Sequence, residues 1–474
     1  MDSKDSNSVK HILFALIRTA LFIALAALIF VLLSHVMKNK DDEELTGAYF
    51  DYPKGTFDVV FLGPSVMHYG VYPLELWENY GIASYNMSSA NQTVPETYYL
   101  MKEIIERDHP KLIVYDTTIF KEDFKIQNYA NLHFVADRMP YFSENRKAMI
   151  EDMIPEEDRE EFEIPMTLYH QRWKNLKAED FRKGYTEDTF GAKIIGESNP
   201  VELVSETPTD PFTELNDVPS TYVGMIMDLC KETGTNLLFT TFPIAGTSDN
   251  ASIHTEEYQT SVRTALFVDI IAQFHGFTHI NFLCHPEYLN LDTQKDTRDG
   301  HHLNVLGGEK MTAFLGAYIR NNYDAELIPD RRGDQSYAFM DKALGKYKEV
   351  KLRRSLITCN RQALYEEFLA RLGEGQDLLV VKASANEVNI SRGGEVLYAG
   401  GAEPVTISAG GKQFEITPGE TTAVKADGAL VSQNRAGTQF IVYKDGGKKL
   451  SDSVCFGVNE SGAEISRHMF NEDY

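Results

Sequence analysis

A chain of 474 residues, 43% of them hydrophobic, is long enough for two or three domains that each bury a core. Its 46 basic and 70 acidic residues give a formal charge of −24. That balance argues against nucleic acid as a partner, because phosphates are met by Lys and Arg.

Residues 12–37 are almost wholly apolar, with Arg18 as the one charge. From Thr19 onward the run has the roughly 20 residues needed to cross a hydrocarbon core as a helix, and Arg18 sits where its guanidinium can snorkel. A cleaved signal peptide would have a shorter apolar region and a small-x-small site. This run ends instead in Lys38-Asn-Lys40-Asp-Asp-Glu-Glu44. The expectation is a cytoplasmic tail over 1–11 and an uncleaved transmembrane anchor over 12–37. Lys4, Lys10 and Arg18 against Lys38 and Lys40 lean slightly toward a single-pass protein with its body outside the cell membrane.

Phe57-Asp-Val-Val-Phe-Leu62 is a short continuous apolar run, the pattern of a strand buried on both faces of a parallel sheet. A helix over 73–80, a strand over 83–87, a helix over 97–107 and a strand over 111–116 follow. After a polar, aromatic-rich insertion at about 120–215 the alternation resumes: helix 221–233, strand 236–241, helix 256–275, strand 278–283, helix 307–322. This predicts a doubly wound α/β domain with a parallel sheet over 45–325. Residues 326–371 read as a connector. From about 372 to 474, strands such as Asp377-Leu-Leu-Val-Val-Lys382 and Gln439-Phe-Ile-Val-Tyr443 alternate with Gly-Gly turns, so a separate, mostly β domain is expected. Cys230, Cys284, Cys359 and Cys455 are scattered without a CxxC pair and read as buried single thiols rather than zinc ligands or a disulfide framework.

Two segments carry chemistry. Phe61-Leu-Gly-Pro-Ser65 is a strand followed by a tight turn that lifts a hydroxyl out of the backbone. Asp299-Gly-His-His302 places a carboxylate and an imidazole three residues apart at the entry to the last helix. Singly each is ordinary: a serine there is usually a turn residue or helix cap, and Asp299 or Asn304 would serve as a cap. Together, at the carboxyl edge of one sheet, they make a nucleophile, a base and an orienter. The Ser…Asp…His order is that of α/β-hydrolases, but no G-x-S-x-G elbow occurs.

These blocks resemble the SGNH (GDSL-like) hydrolase superfamily, with its flavodoxin-like three-layer fold. They are more closely similar to bacterial membrane-anchored members associated with cell-envelope polymer modification. The usual opening block, Gly-Ser-Ser-His or Gly-Pro-Ser-His with a following Gly-x-x-Pro, stands here as Gly63-Pro-Ser65-Val-Met-His68-Tyr-Gly70-Val-Tyr-Pro73. The resemblance continues through Tyr85-Asn-Met-Ser-Ser-Ala-Asn91-Gln92, Tyr169-His-Gln-Arg-Trp173 and the Asp299 block, spanning roughly 55–325. It implies Ser65 as nucleophile, His302 as base and Asp299 as orienter, with no cofactor and no metal. Asn91 and Ala90 are then the oxyanion candidates, and His68, His170, Arg172 and Trp173 the substrate-contact candidates. Three departures stand out: the His usually next to the Ser is absent, with His68 nearby; Ser88-Ser-Ala90-Asn91 replaces the expected block-two glycine; and Tyr115-Asp116-Thr117 replaces Gly-x-Asn-Asp. Loss of one oxyanion donor costs about 10²–10³ in rate.

The closing Asp377–Ser384 and Phe440–Val454 segments look like an interleukin-like EMT-inducer (PANDER-like) domain, which hints at carbohydrate or partner binding. The implied function is an extracytoplasmic serine esterase or O-acyltransferase, with acetyl as the expected acyl group, acting on an envelope glycan or acylated polymer. A transferase would draw its acyl group through a multi-spanning membrane O-acyltransferase. The alternative is a non-catalytic, membrane-tethered glycan-binding or assembly scaffold with a degenerate SGNH domain, in which Asp299 and His302 only cap the last helix.

Overall fold

The computed structural model describes residues 3–37, 48–121, 129–163, 170–176, 178–181, 189–200, 215–244, 256–459 and 462–469. In chain order, α1 (Ser3–Met37) stands before β1 (Val59–Leu62), α2 (Ser65–Gly70), α3 (Pro73–Tyr80), β2 (Ser84–Asn86), α4 (Val94–Asp108) and β3 (Leu112–Asp116). The insertion contributes α5 (Tyr129–Ala136), α6 (Glu144–Met153) and α7 (Glu160–Glu163). Then come α8 (Asp217–Thr233), β4 (Asn236–Thr241), α9 (Glu256–His275), β5 (Thr278–Asn281) and α10 (Val305–Asn322).

The five strands pair in parallel in the order β2-β1-β3-β4-β5. This is the flavodoxin-like order, whose switch point lies between the first and third strands. The strands sit here because their side chains are apolar on both faces. Val60, Leu62, Ile113 and Tyr115 join one core cluster, and their neighbours Val59, Phe61, Leu112 and Val114 join the other. The doubly wound α/β class expected from the alternation is the observed one. Helix α4 begins at a capping box, Thr93 with Glu96, and ends at His109 in the left-handed conformation, so its limits run a few residues beyond the 97–107 periodicity.

Within the segment read as a connector, α11 (Ala338–Thr358) and α12 (Gln362–Arg371) pack into the main core through Met340, Tyr347, Leu352, Leu356, Tyr365 and Phe368. Tyr347 and Lys351 both reach the half-buried Glu75 carboxylate of α3, at 2.9 and 2.5 Å. The remaining chain is antiparallel, with β6 (Leu379–Ala383), β7 (Val388–Arg392), β8 (Glu395–Gly400), β9 (Val405–Ala409), β10 (Lys412–Thr417), β11 (Ala423–Ala426), β12 (Ala429–Leu430), β13 (Thr438–Lys444), β14 (Lys449–Val458) and β15 (Glu464–His468). They form a six-strand sheet in the order β15-β14-β13-β6-β7-β8 and a four-strand sheet in the order β12-β11-β10-β9. Alternation along β13 (Thr438–Lys444) explains their placement. Phe440 and Val442 face α12 and the main core, while Ile441 and Tyr443 face Phe414, Ile416 and Val424 of the smaller sheet.

In α1 the stretch His11–Ser34 is long and apolar enough to cross a membrane, and none of it packs inside the protein over its most apolar window. Among its described side chains, those buried are Ser34 and Met37 in the last turn. The cysteines are unpaired; Cys230, Cys359 and Cys455 are buried and Cys284 is half-buried.

Candidate active site

The turn after β1 is shaped by contact with the end of β3. Gly63 has φ +140°, and a Cβ there would stand 3.0 Å from the Asp116 Cβ and 3.3 Å from its amide nitrogen. Only glycine adopts that conformation cheaply, so Gly63 lets the two strand ends pass closely. Pro64 then precedes α2, whose first residue is Ser65; the cap position makes no side-chain hydrogen bond. With Pro64 in the cap position, Ser65 is the first helical residue and its hydroxyl does not stand at the cap.

Instead Ser65 Oγ lies 2.7 Å from His302 Nε2. His302 Nδ1 lies 2.9 Å from Asp299 Oδ2 and 3.2 Å from Oδ1. Asp299 Oδ1 also accepts the backbone N–H groups of His301 at 3.0 Å and His302 at 2.8 Å. Partial burial pushes the Asp299 carboxyl up, but the His302 imidazole and these two amides outweigh it and hold it well below the usual carboxylate range. An ionised carboxylate only accepts, so Nδ1 carries the hydrogen and Nε2 is left to accept from the serine O–H.

The loop bearing this pair is closed rather than helical. Thr297 and Leu303 form an isolated antiparallel bridge, Arg298 N donates to His302 O at 2.8 Å, and Gly300 N donates to Thr297 Oγ1 at 2.9 Å. Helix α10 starts only after Asn304, whose Oδ1 accepts from Leu306 and Gly307. Asn304 is thus the cap, and Asp299 and His302 are free of that task.

Two supporting residues were not singled out from the sequence. The Tyr69 ring packs against His302 with centroids 4.8 Å apart. Arg298 donates to the Tyr69 hydroxyl at 3.1 Å and to Glu197 Oε2 at 2.9 Å. Their signal was local: Tyr69 is four residues after Ser65 on one helix face, and Arg298 directly precedes Asp299.

Among the oxyanion candidates, Ala90 is half-buried and Asn91 is exposed with φ +49°. Their loop is pinned beside the nucleophile turn, since Ser89 N donates to Gly63 O at 3.2 Å. Ser88 and Ser89 are turned inward, toward Asn86 and Gln92 respectively. Asp116, at the end of β3, is fully buried and accepts from Thr118 N at 3.0 Å, Phe242 N at 2.9 Å and Thr240 Oγ1 at 3.3 Å. Burial pushes its carboxyl up to about 6 despite those bonds. Its oxygens are committed to holding the strand ends together, so it is no donor to an oxyanion.

Of the substrate-contact candidates, His68, Arg172 and Trp173 have described side chains. His68 is 1% exposed, on a six-residue helix whose every residue after Ser65 is buried. Burial, with the nearby Lys193, Arg138, Arg354 and His302, pushes its imidazole well below the usual range. It stays neutral inside the protein and presents nothing to a substrate. Arg172 donates to Met37 O at 3.0 Å and to Asp180 Oδ1 at 2.8 Å, so it is tied to the end of α1. Trp173 beside it is 65% exposed. The side chain of His170 lies outside the described residues.

A second chain of groups was missed altogether. Asp269 Oδ1 lies 2.7 Å from His279 Nδ1, His279 Nε2 lies 2.8 Å from Thr241 Oγ1, and Thr241 Oγ1 lies 2.5 Å from Thr117 Oγ1. It joins α9 to the ends of β5, β4 and β3. Among the described residues, no group of three His, Cys, Asp or Glu side chains is placed to hold a metal ion.

No family model matches the chain, and no curated protein matches it. Among solved structures it is similar to a provisionally assigned acylhydrolase from Bacteroides fragilis, at 13% identity and TM-score 0.31, covering 60% of this chain and 99% of that one. A GDSL-like lipase from Bacteroides thetaiotaomicron follows at 12% identity and TM-score 0.29, covering 56% of this chain and 87% of that one. An acetyl xylan esterase stands at 12% and 0.29, covering 55% of this chain and 98% of that one. Likeness at this level carries no argument about what this chain does; that argument rests on the site.

Proposed function

We propose that the protein is a membrane-anchored serine esterase or O-acyltransferase whose nucleophile is Ser65. The observation that carries this reading is the unbroken chain from Asp299 through His302 to Ser65 Oγ, a hydroxyl paired with the imidazole at the half-buried start of a helix. In the reaction, Ser65 Oγ attacks an ester carbonyl while His302 Nε2 takes its proton. The tetrahedral intermediate collapses as the imidazolium returns that proton to the departing alcohol, leaving acyl-Ser65. His302 then deprotonates the acceptor, which displaces Ser65 from the acyl carbon; water yields a free acid and a sugar hydroxyl yields a new ester. Asp299, held ionised, fixes the imidazole tautomer and stabilises the imidazolium. The amide of Ser65 and those of Ala90 and Asn91 are the groups available to the oxyanion.

The substrate class follows from the sequence resemblance: acylated envelope glycans, with acetyl as the acyl group. The apolar span of α1 supports a single-pass anchor, and the charge bias of its flanks together with the sequence resemblance puts the body on the extracytoplasmic side. A multi-spanning membrane O-acyltransferase would then supply the acyl group to a transferase. The scaffold alternative draws on the occupied Asp116 and the exposed Asn91. Its premise that Asp299 and His302 cap the last helix is not met, because Asn304 does so.

The test uses the full chain in detergent with an acetylated oligosaccharide, scoring acetate released against acetyl moved to an added sugar acceptor. Wild type should do one or the other, and Ser65→Ala neither. Equal acetate release by both proteins would defeat the assignment.

A further inference from the structure

The residues that resemble a substrate-binding block are built onto the end of the anchor instead. The 3-10 turns His170–Lys174 and Ala178–Phe181 pack on the last turn of α1, where Ser34 and Met37 are buried, while large apolar residues from Ile12 to Leu33 are exposed. Helix ends leave carbonyls without intrahelical partners. Here Arg172 donates to the Met37 carbonyl at 3.0 Å and is itself held by Asp180 at 2.8 Å. Trp173 is 65% exposed and Phe181 66% exposed, and Lys174 Nζ stands 5.9 Å from the Trp173 ring.

The level of this collar follows from helix geometry. At about 1.5 Å per residue, a span of 24 residues is about 36 Å long, enough to cross a core of about 30 Å. Met37 lies three residues past Ser34, about 4–5 Å further along the axis. That depth is the headgroup layer, where Trp rings and the cationic heads of Lys and Arg are favoured. Exposed Trp and Phe beside Lys and Arg are costly in water and ordinary there.

We infer that Arg172, Trp173, Lys174 and Phe181 form an interfacial collar that seats the protein body on the bilayer surface around the exit of α1. The inference rests on the reading of α1 as membrane-spanning and adds to it a second, surface contact. The collar lies on the insertion that leaves the carboxyl end of β3, so it ties that insertion to the membrane.

Tryptophan fluorescence tests it directly, because the chain has two tryptophans and the other, Trp77, is 1% exposed with its indole N–H bonded to Asp341. The full chain is reconstituted into phosphatidylcholine vesicles carrying bromine either near the headgroup end of the acyl chain or near its methyl end. The collar predicts loss of emission with the shallow bromine, less with the deep one, and no such loss in Trp173→Phe. Three results would overturn it. Protein that does not float with the vesicles sinks the anchor reading and the collar together. Floating protein whose Trp173 is quenched by aqueous iodide but not by bromolipid sinks the collar alone. Floating protein with Trp173 shielded from both would place a protein partner there instead.

Discussion

The Asp299–His302–Ser65 chain and the Asp269–His279–Thr241 chain have nearly the same geometry. The carboxylate contacts are 2.9 and 2.7 Å and the hydroxyl contacts 2.7 and 2.8 Å. Their hydroxyls differ. Thr241 ends a strand, is 3% exposed and shares its oxygen with Thr117, whereas Ser65 opens a helix after a glycine turn, is half-buried and, among the described residues, pairs with His302. A carboxylate–imidazole–hydroxyl relay is therefore not itself a site. What distinguishes the first is a hydroxyl that solvent and substrate can reach.

The comparison breaks most sharply at the carboxylates. Asp299→Asn leaves His302 free to adopt the wrong tautomer and should lower kcat about 10³–10⁴-fold on an aryl acetate. Asp269→Asn should leave kcat unchanged. Equal losses from the two would mean that the Asp269 relay takes part in turnover.

The strand-end carboxylate should show itself in stability against pH. Asp116 is raised to about 6 in the folded state, above its unfolded value near 4. The folded protein then holds more protons between those values, so this group's stabilisation is present at low pH and lost as pH rises through about 4 to 6. The change should be no more than about 3 kcal/mol, and flat above that window. Asp299, depressed, has the opposite sign: its stabilisation is present above the unfolded value and lost as pH falls below it. Denaturant titrations across this range should show the Asp116 slope disappear in Asp116→Asn. A slope unchanged by that substitution would contradict the assignment.

The smallest effect is expected at Thr241→Val. It leaves turnover unchanged and costs about 1–3 kcal/mol of stability, because buried His279 loses a partner. Denaturant midpoints and aryl acetate rates on one preparation check both halves.

Much of this was legible in the chain. The apolar runs ending at Leu62, Asp116 and Thr241 gave strands with those same ends, because strands buried on both faces leave no choice of side. Ser65, Asp299 and His302 were legible because a strand-turn serine and an Asp-x-x-His spacing are local patterns, brought together by the order of parallel strands. The second relay was not, since Asp269 and His279 meet only through the packing of α9 on β5. His68 was misplaced for a related reason: three residues from Ser65 on one helix puts it near the site, but burial decides that it faces inward. Arg172 and Trp173 carried a resemblance to substrate-binding residues, yet the nearest claim on Arg172 is the Met37 carbonyl, a contact across 135 residues that no local pattern encodes.

A fluorophosphonate probe applied to the 474-residue chain asks for an activated, reachable serine without any choice of substrate. A Ser65 nucleophile activated by His302 gives one labelled site in wild type and in Thr241→Val, lost in Ser65→Ala and in His302→Ala. Labelling that survives Ser65→Ala, or a folded wild type that never labels at any pH, would contradict that assignment.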